Sequence, residues 1–230
     1  MIIYILYLVS ALKEQYPKVF AELVGTMLLV ATVVGSGIMA QNLTQDVGVQ
    51  LTMNMLATVF VLFLLISMLG PISGAHFNPA VSMIFLITRG ISLGMFFVYI
   101  LAQLLGGFLG SVIANAMFDV PTVISTRERL DAGAPLSEIV ATAGLVLTIL
   151  LLIKHNRSLV AVGVASWIGA AYIFTSSTSF ANPAVTFGRI FSESFAGIEP
   201  VSAGVFMLWQ ILGALVGFGI YKILERETNG

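Results

Sequence analysis

Long apolar runs separated by short polar segments dominate this chain. A helix needs about 20 apolar residues to cross a bilayer, and six of the runs are long enough. These six runs are 16–40, 48–69, 91–117, 135–153, 158–175 and 201–224. Two further apolar pieces, 78–88 and 182–191, are too short to cross. They predict re-entrant half-helices that enter and leave the membrane on the same side.

Each short piece begins with the same triplet, Asn78-Pro79-Ala80 in the first and Asn182-Pro183-Ala184 in the second. Asparagine is favoured at the N-cap of a helix and proline at its first position, so both triplets predict helix starts. Because each triplet follows a membrane-crossing run, both helices would begin at membrane depth. Their unpaired N–H groups would then lie inside the bilayer.

The second half of the chain repeats the first. The segment 21–26 around Glu22 matches 137–142 around Glu138, and 103–110 matches 210–217. Each half has three crossing runs, an odd number, so the second half enters from the opposite face. The predicted fold is an all-α membrane protein with six transmembrane helices and two half-helices in an inverted 3+3 repeat. The half-helices would meet head to head near the midplane.

The composition places most of the chain in lipid. Hydrophobic residues make up 58% of it and charged residues 9%, with a mean hydropathy of +1.03. A soluble domain carries about 25% charged residues, so this chain has too few to cover a water-facing surface. The net charge of -1 gives no basis for a nucleic-acid partner. Cysteine is absent, which excludes disulfides and cysteine metal sites, and we expect neither a metal nor a cofactor.

The distribution of basic residues predicts the orientation. With both termini in the cytoplasm, the outer side receives only Arg127, Arg129 and Arg189. The cytoplasmic side then receives Lys13, Lys18, Arg89, Lys154, Arg157, Lys222 and Arg226. This excess satisfies the positive-inside rule and predicts cytoplasmic termini. The apolar segment 1–12 is too short to span and predicts a helix along the interface, with a signal peptide or an extra span as alternatives.

The paired triplets, the run Ser-Gly-Ala-His-Phe-Asn at 73–78, and Glu22 and Glu138 in the opening helices together resemble the aquaporin (major intrinsic protein) family. The resemblance covers residues 18–222. It implies a right-handed helix bundle in the cell membrane with one pore per subunit, usually assembled as a homotetramer. It also implies small neutral solutes as the cargo. The whole chain, 1–230, would then be a single channel domain, with a first repeat at about 16–117, a connector at 118–133 and a second repeat at about 134–226.

Two half-helices that point their N-termini at one spot place roughly +0.5 elementary charge each at the centre of the pore, as is known for aquaporin-type channels. This field repels cations and protons. Asn78 and Asn182 are expected to cap their helices with the side-chain oxygen and to donate to passing solutes with the nitrogen. The simpler alternative is that both residues only cap.

Three ionisable residues in the apolar runs and loops have two interpretations each. Glu22 and Glu138 either accept hydrogen bonds from the irregular loops before the triplets, which their symmetric placement favours, or relay protons. His76 either holds the loop structure or lines the cytoplasmic half of the pore and gates it with pH.

The resemblance also implies a selectivity constriction outward of the asparagine pair, formed by Thr58, Ala170, Ser179 and Val185. In most family members an arginine follows the second triplet, where this chain has Val185, and typical water channels carry histidine at the position of Ala170. Without this arginine and this histidine, the constriction lacks a positive charge and has less side-chain volume. The four positions therefore predict a wide filter without arginine. The alternative is that Val185 is a neutral change and the pore carries mainly water.

Arg189 lies four residues after Val185, so both lie on the same face of the half-helix, about 6 Å apart along the axis. This places a guanidinium outward of the filter, where it would supply charge to the outer vestibule. A role in the filter itself is the less favoured interpretation, because one turn displaces the residue outward.

The run 175–185 resembles a bacterial aquaporin subgroup linked to arsenic detoxification. The predicted function is a passive channel for small uncharged solutes: water, glycerol-like polyols and arsenite-type metalloid acids. Alternatives are a water-selective channel and a secondary transporter, since inverted repeats and broken helices also serve carriers. A membrane hydrolase using His76 is disfavoured, because no serine elbow or metal cluster accompanies it.

Overall fold

The computed structural model describes residues 2–227 by their backbone and residues 15–225 by their side chains. In this part of the chain the structure is all-helical. Six helices are long and apolar enough to cross a membrane, as predicted. The helices are α1 (Ile2–Leu43), α2 (Val47–Ser73), α3 (Pro79–Ile87), α4 (Leu93–Met117), α5 (Ala134–His155), α6 (Val160–Phe174), α7 (Pro183–Arg189) and α8 (Pro200–Glu227).

The two predicted half-helices are the short helices α3 and α7, and both begin at the proline of their triplet. The predicted ends of α2 were less accurate. This helix continues four residues past the predicted end at 69 and includes Pro71. It stops at Gly74, whose φ of 91° is left-handed and whose N–H donates to the carbonyl oxygen of Gly70. A left-handed glycine is a common helix end, so Gly74 was the available signal.

The N-terminal segment differs from the prediction of a separate interfacial helix. Residues 2–12 continue without a break into the first membrane-crossing helix, and Pro17 lies inside that continuous helix α1. The side chains of residues 2–14 lie outside the described part, and the position of this segment relative to the bilayer remains a prediction.

Each repeat is held together by a close crossing of its first and third long helices. A Cβ atom at Gly106 in α4 would lie 2.5 Å from the carbonyl oxygen of Leu23 in α1. In the second repeat, a Cβ atom at Gly213 in α8 would lie 2.6 Å from the carbonyl oxygen of Ile139 in α5. Only glycine permits this approach, which is how helices pack when lipid removes the hydrophobic driving force. The paired small residues therefore serve packing within one subunit.

The segment 118–133 joins the repeats and packs over the loop that follows α7. The N–H of Ser125 donates to the carbonyl oxygen of Ile190 at 2.7 Å, and the N–H of Glu199 donates to that of Arg127 at 2.8 Å. We call the side of the membrane on which this connector lies the outer side, because the distribution of basic residues predicts that it faces away from the cytoplasm. These contacts fix Arg127 and Arg129 beside the outer end of α7.

Candidate functional site

A continuous cavity runs between the two repeats. Its walls come from both half-helices, from the loops before them, and from the long helices of both repeats. The polar lining residues are Thr58, His76, Asn78, Tyr172, Ser179, Asn182 and Arg189. The apolar lining residues include Leu29, Val33, Leu62, Ile66, Val81, Phe85, Leu145, Ile149, Val164, Ile168 and Val185. The cavity thus has polar groups at selected points on a largely apolar wall.

The two triplets lie at the centre of this cavity and start the half-helices as expected. Asn78 Oδ1 accepts hydrogen bonds from the N–H groups of Ala80 and Val81. Asn182 caps the second half-helix in the same way, with 2.9 Å from the Ala184 nitrogen to its Oδ1. Each asparagine therefore satisfies N–H groups that the first helical turn leaves without partners.

The same two asparagines connect the repeats. Asn78 Nδ2 donates to the carbonyl oxygen of Ala181 at 2.8 Å, and Asn182 Nδ2 donates to that of Phe77, also at 2.8 Å. An amide nitrogen carries two N–H donors, so this bond uses one and leaves one for the pore. Both asparagines therefore cap their half-helices, and donation to a solute remains a proposal.

The loops before the triplets share an unusual backbone. Ala75 and Phe77 have φ values of 50° and 48°, and the matching residues Ser179 and Ala181 have the same two values. Such left-handed conformations are uncommon for residues other than glycine and cost about 1–3 kcal/mol each when the surroundings force them. Both loops must therefore be held in place by the structure around them.

Glu22 supplies that restraint in the first repeat. Its Oε1 accepts hydrogen bonds from Ser73 Oγ at 2.7 Å and from the His76 N–H at 2.9 Å. Its Oε2 accepts from the Phe77 N–H at 2.6 Å and from Gln103 Nε2 at 2.8 Å. Four donors surround one carboxylate, which offsets the cost of burying its charge.

Glu138 repeats this arrangement in the second half. It accepts from Ser177 Oγ at 2.6 Å, from the N–H groups of Phe180 and Ala181 at 3.0 and 2.9 Å, and from Gln210 Nε2 at 2.6 Å. Neither carboxylate lines the cavity. These are the contacts of a group that braces a loop, whereas a proton relay would need a path from the carboxylate to the pore.

His76 lines the inner half of the cavity and is also tied to its surroundings. Its Nδ1 lies 3.0 Å from Ser82 Oγ, its ring stacks on Phe85 at 4.3 Å between centroids, and its edge meets Tyr99 at 5.4 Å. Both sequence interpretations of His76 thus have a structural counterpart, because the residue holds the loop and also faces the pore.

Three of the four predicted filter residues, Thr58, Ser179 and Val185, line the cavity, but the prediction for Ala170 is wrong. Ala170 is exposed on the surface of the bundle, away from the cavity, and Tyr172 lines the cavity instead. A step of two residues along a helix corresponds to a rotation of about 200°, so the side chains of Ala170 and Tyr172 point in nearly opposite directions. The error arose because the family position was carried over without a gap.

Tyr172 was missed although a periodic signal was present. In α6 the lining residues Val164, Ile168 and Tyr172 recur every four residues and mark one face. The Tyr172 hydroxyl lies 3.2 Å from Thr58 Oγ1, so the two hydroxyls form a polar pair in the wall of the cavity that Val185 also lines. Because Tyr172 is larger than alanine and carries a hydroxyl, the side chains lining this part of the pore are bulkier and more polar than the four predicted residues.

Arg189 lines the outer end of the same cavity and is only 2% exposed. Its Nε donates to the carbonyl oxygen of Ala196, and its Cζ lies 3.4 Å from the ring centroid of Phe180. The expected vestibule position of Arg189 agrees with this placement. Phe180, which orients the guanidinium, was not predicted, because its position depends on the fold of the preceding loop.

A second guanidinium approaches the same ring. Arg129 Cζ lies 5.2 Å from the Phe180 centroid, and its Nε and Nη2 donate to the carbonyl oxygens of Gly197 and Phe195 at 2.6 and 2.5 Å. Burial, together with the like charge of Arg189, lowers the pKa of Arg129. Guanidinium groups nevertheless stay protonated in proteins, so Arg129 and Arg189 place two positive charges beside the Phe180 ring.

Comparison with known proteins decides the family. A sequence model described as "Major intrinsic protein" matches residues 10–176 of the chain. The chain belongs to the major intrinsic protein family. As a member of that family it is a multi-pass membrane channel for small solutes of the water and glycerol type, and it is not an enzyme.

The relatives of this major intrinsic protein include channels from several kingdoms. It is 45% identical to aquaglyceroporin AqpS of Rhizobium meliloti (strain 1021) over 91% of the chain and 90% of that relative. It is 28% identical to aquaporin-4 of Mus musculus over 90% of the chain and 67% of that protein. Its fold matches the X-ray structure of the aquaglyceroporin from Plasmodium falciparum with a TM-score of 0.70, at 22% identity, covering 90% and 95% of the two chains.

Proposed function

We propose that this channel passes glycerol-like polyols and undissociated metalloid acids of the arsenite type in addition to water. The observation that carries the proposal is the placement of Val185, which lines the cavity directly after the second triplet. An isopropyl group there supplies neither charge nor donors to the narrow part of the pore. The similarity to an aquaglyceroporin supports the same solute class.

The constriction has two chemically different sides. Thr58 and Tyr172 present paired hydroxyl groups, and Val185 presents an apolar surface, with Ser179 also lining the cavity. A polyol has hydroxyls along one edge and C–H groups along the other, so it can hydrogen-bond one wall while its carbons contact the other. Undissociated arsenous acid is likewise uncharged and carries hydroxyl groups.

Cations and protons are excluded by the same midplane in this proposal. The N-termini of α3 and α7 meet at the centre of the cavity, where Asn78 and Asn182 each keep one N–H that is not used by the cross-repeat bond. Positive helix ends repel cations, and N–H donors favour a solute that offers an oxygen acceptor.

A channel fits the site better than a secondary transporter. An alternating-access carrier usually couples substrate to an ion through a carboxylate at the binding site. Glu22 and Glu138 each accept four hydrogen bonds behind the loops and do not line the cavity. Among the described residues, no carboxylate lines the pore.

The family and the distribution of basic residues support a proposal for the assembly and the location. We propose a homotetramer in the cell membrane with both termini cytoplasmic, and one channel domain per chain. Large apolar side chains such as Phe60, Leu101 and Val201, each about two-thirds exposed, form the surface that lipid or neighbouring subunits would cover. Native mass spectrometry of the detergent-solubilised protein tests the tetramer, and accessibility of terminal tags in intact cells tests the orientation.

Stopped-flow light scattering on proteoliposomes tests the solute class. Permeabilities for water, glycerol, urea and arsenite are measured side by side, with empty liposomes as the baseline. We expect glycerol and arsenite to permeate above the baseline, linearly with their gradients. Permeability to water alone would contradict the proposal, and saturable, ion-dependent uptake would favour the carrier.

A further inference from the structure

We propose that the outer mouth of the pore contains a binding site for a small oxyanion, with Arg189 and Ser179 as its direct ligands and Arg129 as a second cation beside it. The site goes beyond the proposed conduction of neutral solutes. It rests on the geometry of these side chains and on the charges around them.

Arg189 presents a fixed and unused pair of donors to the cavity. Its Nε is bound to the Ala196 carbonyl oxygen and its plane is stacked on Phe180. Its two Nη groups donate to no protein group that the structure describes. Since the side chain is held at two points, its terminal donors need little further ordering to bind a ligand. Two parallel N–H groups match two oxygens of a carboxylate, sulfate or phosphate.

Ser179 supplies a second donor in the same cavity. The residue is 3% exposed, and its Oγ has no hydrogen-bond partner among the described residues. Its backbone N–H is already engaged by Thr175 Oγ1 and Ser177 Oγ at 3.1 and 3.3 Å, and its left-handed φ fixes its place in the loop. A buried hydroxyl without a partner is rare in proteins, and Ser179 lines the cavity, so we assign this unused donor to the proposed ligand.

The guanidinium groups at this mouth form no ion pair with a carboxylate among the described side chains. The described side chains form ion pairs only on the inner side, between Lys154 or Lys222 and Glu225. Near the outer mouth, Glu193 instead accepts hydrogen bonds from the N–H and Oγ1 of Thr126. Arg189 and Arg129 contact the same ring and so lie within roughly 9 Å of each other, less than the Debye length of about 10 Å at 0.1 M salt. A bound anion would relieve this repulsion.

The inner end of the pore lacks an equivalent site. By the repeat, Phe85 occupies the position that corresponds to Arg189, and His76 the position that corresponds to Phe180. The inner end therefore holds a stack of His76 on Phe85 where the outer end holds Arg189 on Phe180. A lipid phosphate does not reach Arg189, because the residue is buried in the pore wall. The ligand is thus a free oxyanion from the outer side.

Sulfate is a suitable probe because it is fully ionised and carries four acceptor oxygens. Glycerol permeability is measured in proteoliposomes at pH 7 while sulfate replaces chloride on both sides at constant ionic strength. We expect sulfate to lower the permeability saturably, at least twofold, by occupying the outer mouth. Arg189→Gln should show no sulfate dependence, each variant being compared with itself in chloride. Arg157→Gln, which removes an exposed arginine on the inner side, is the matched control and should keep the wild-type ratio.

Calorimetric titration of sulfate into the detergent-solubilised protein separates this site from the proposed function. Saturable binding that Arg189→Gln abolishes and Arg157→Gln retains supports the site, whether or not glycerol permeates. Absence of saturable binding in the wild type, or equal binding in Arg189→Gln, overturns it. If Arg189→Gln does not fold, Ser179→Ala and Arg129→Gln provide the same comparison, and unchanged affinity in both would equally overturn the proposal.

Discussion

The side-chain amide of Asn78 donates a hydrogen bond to the carbonyl oxygen of Ala181, a residue 103 positions later in the chain. The reciprocal bond runs from Asn182 to Phe77. Each triplet therefore caps its own half-helix and also holds the loop of the other repeat. Because the bonds cross the pseudo-symmetry axis, they make the midplane of the pore a shared element of both halves.

Asn78→Asp tests this connection. Aspartate keeps the oxygen that caps α3 but loses the N–H donor, so the Ala181 carbonyl oxygen loses this partner. We expect a loss of about 1–3 kcal/mol of stability, the cost of leaving a buried group without its hydrogen bond. The measurement is the shift in thermal unfolding temperature in detergent. Asn156→Asp, an exposed position that keeps its acceptor, is the control. A wild-type unfolding temperature in Asn78→Asp would contradict the role of the bond.

Glu138→Gln tests the bracing of the second loop. Glutamine places an NH₂ group where one carboxylate oxygen now accepts from Gln210 Nε2 and from the N–H of Ala181, so donors face donors. We expect thermal destabilisation and reduced glycerol flux, because the loop with Ser179 and Ala181 loses its restraint. Glu128→Gln, at an exposed connector position, should behave like the wild type. If Glu138→Gln kept full stability and lost only a proton-dependent flux, the relay interpretation would hold instead.

Much of this fold was predictable because its signals are local. Apolar length predicts the six crossing helices, and the Asn-Pro pair predicts the starts of α3 and α7. The bond from Asn78 to Ala181 was not predictable, since the two residues meet only after both repeats pack. The stack of Arg189 on Phe180 has the same origin. It depends on left-handed residues such as Ser179, whose conformation no local preference indicates.

For the filter residue in α6, the position inferred from the family disagrees with the face of the helix that lines the pore. Alignment of this chain with the family without gaps selects Ala170 for the constriction. The spacing of Val164, Ile168 and Tyr172 instead marks the face of α6 that lines the pore. An insertion or deletion of two residues is enough to turn a side chain from pore to lipid. Helical periodicity within α6 was therefore the more reliable guide.

Val185→Arg tests the proposed solute class. An arginine directly after the triplet adds volume and a charge to the constriction, so glycerol and arsenite permeability should fall about tenfold, equivalent to about 1.4 kcal/mol, and water permeability should fall less. The comparison uses stopped-flow rates divided by the amount of protein in each liposome preparation. Val185→Met, which adds length without charge, separates the effect of volume from that of charge. Equal loss for all solutes in Val185→Arg would show that Val185 does not select among them.

Tyr172→Ala and Ala170→His test which residue of α6 belongs to the constriction. Removing the phenol widens the pore and leaves Thr58 without its hydroxyl partner, so permeability to polyols larger than glycerol, such as erythritol, should rise severalfold relative to water. Histidine at position 170 would face away from the pore and should leave the ratio of glycerol to water permeability unchanged. A shift of this ratio in Ala170→His with no effect in Tyr172→Ala would restore Ala170 to the filter. That result would require α6 to be rotated by about half a turn from its place in this structure, because two residues span about 200° of helix.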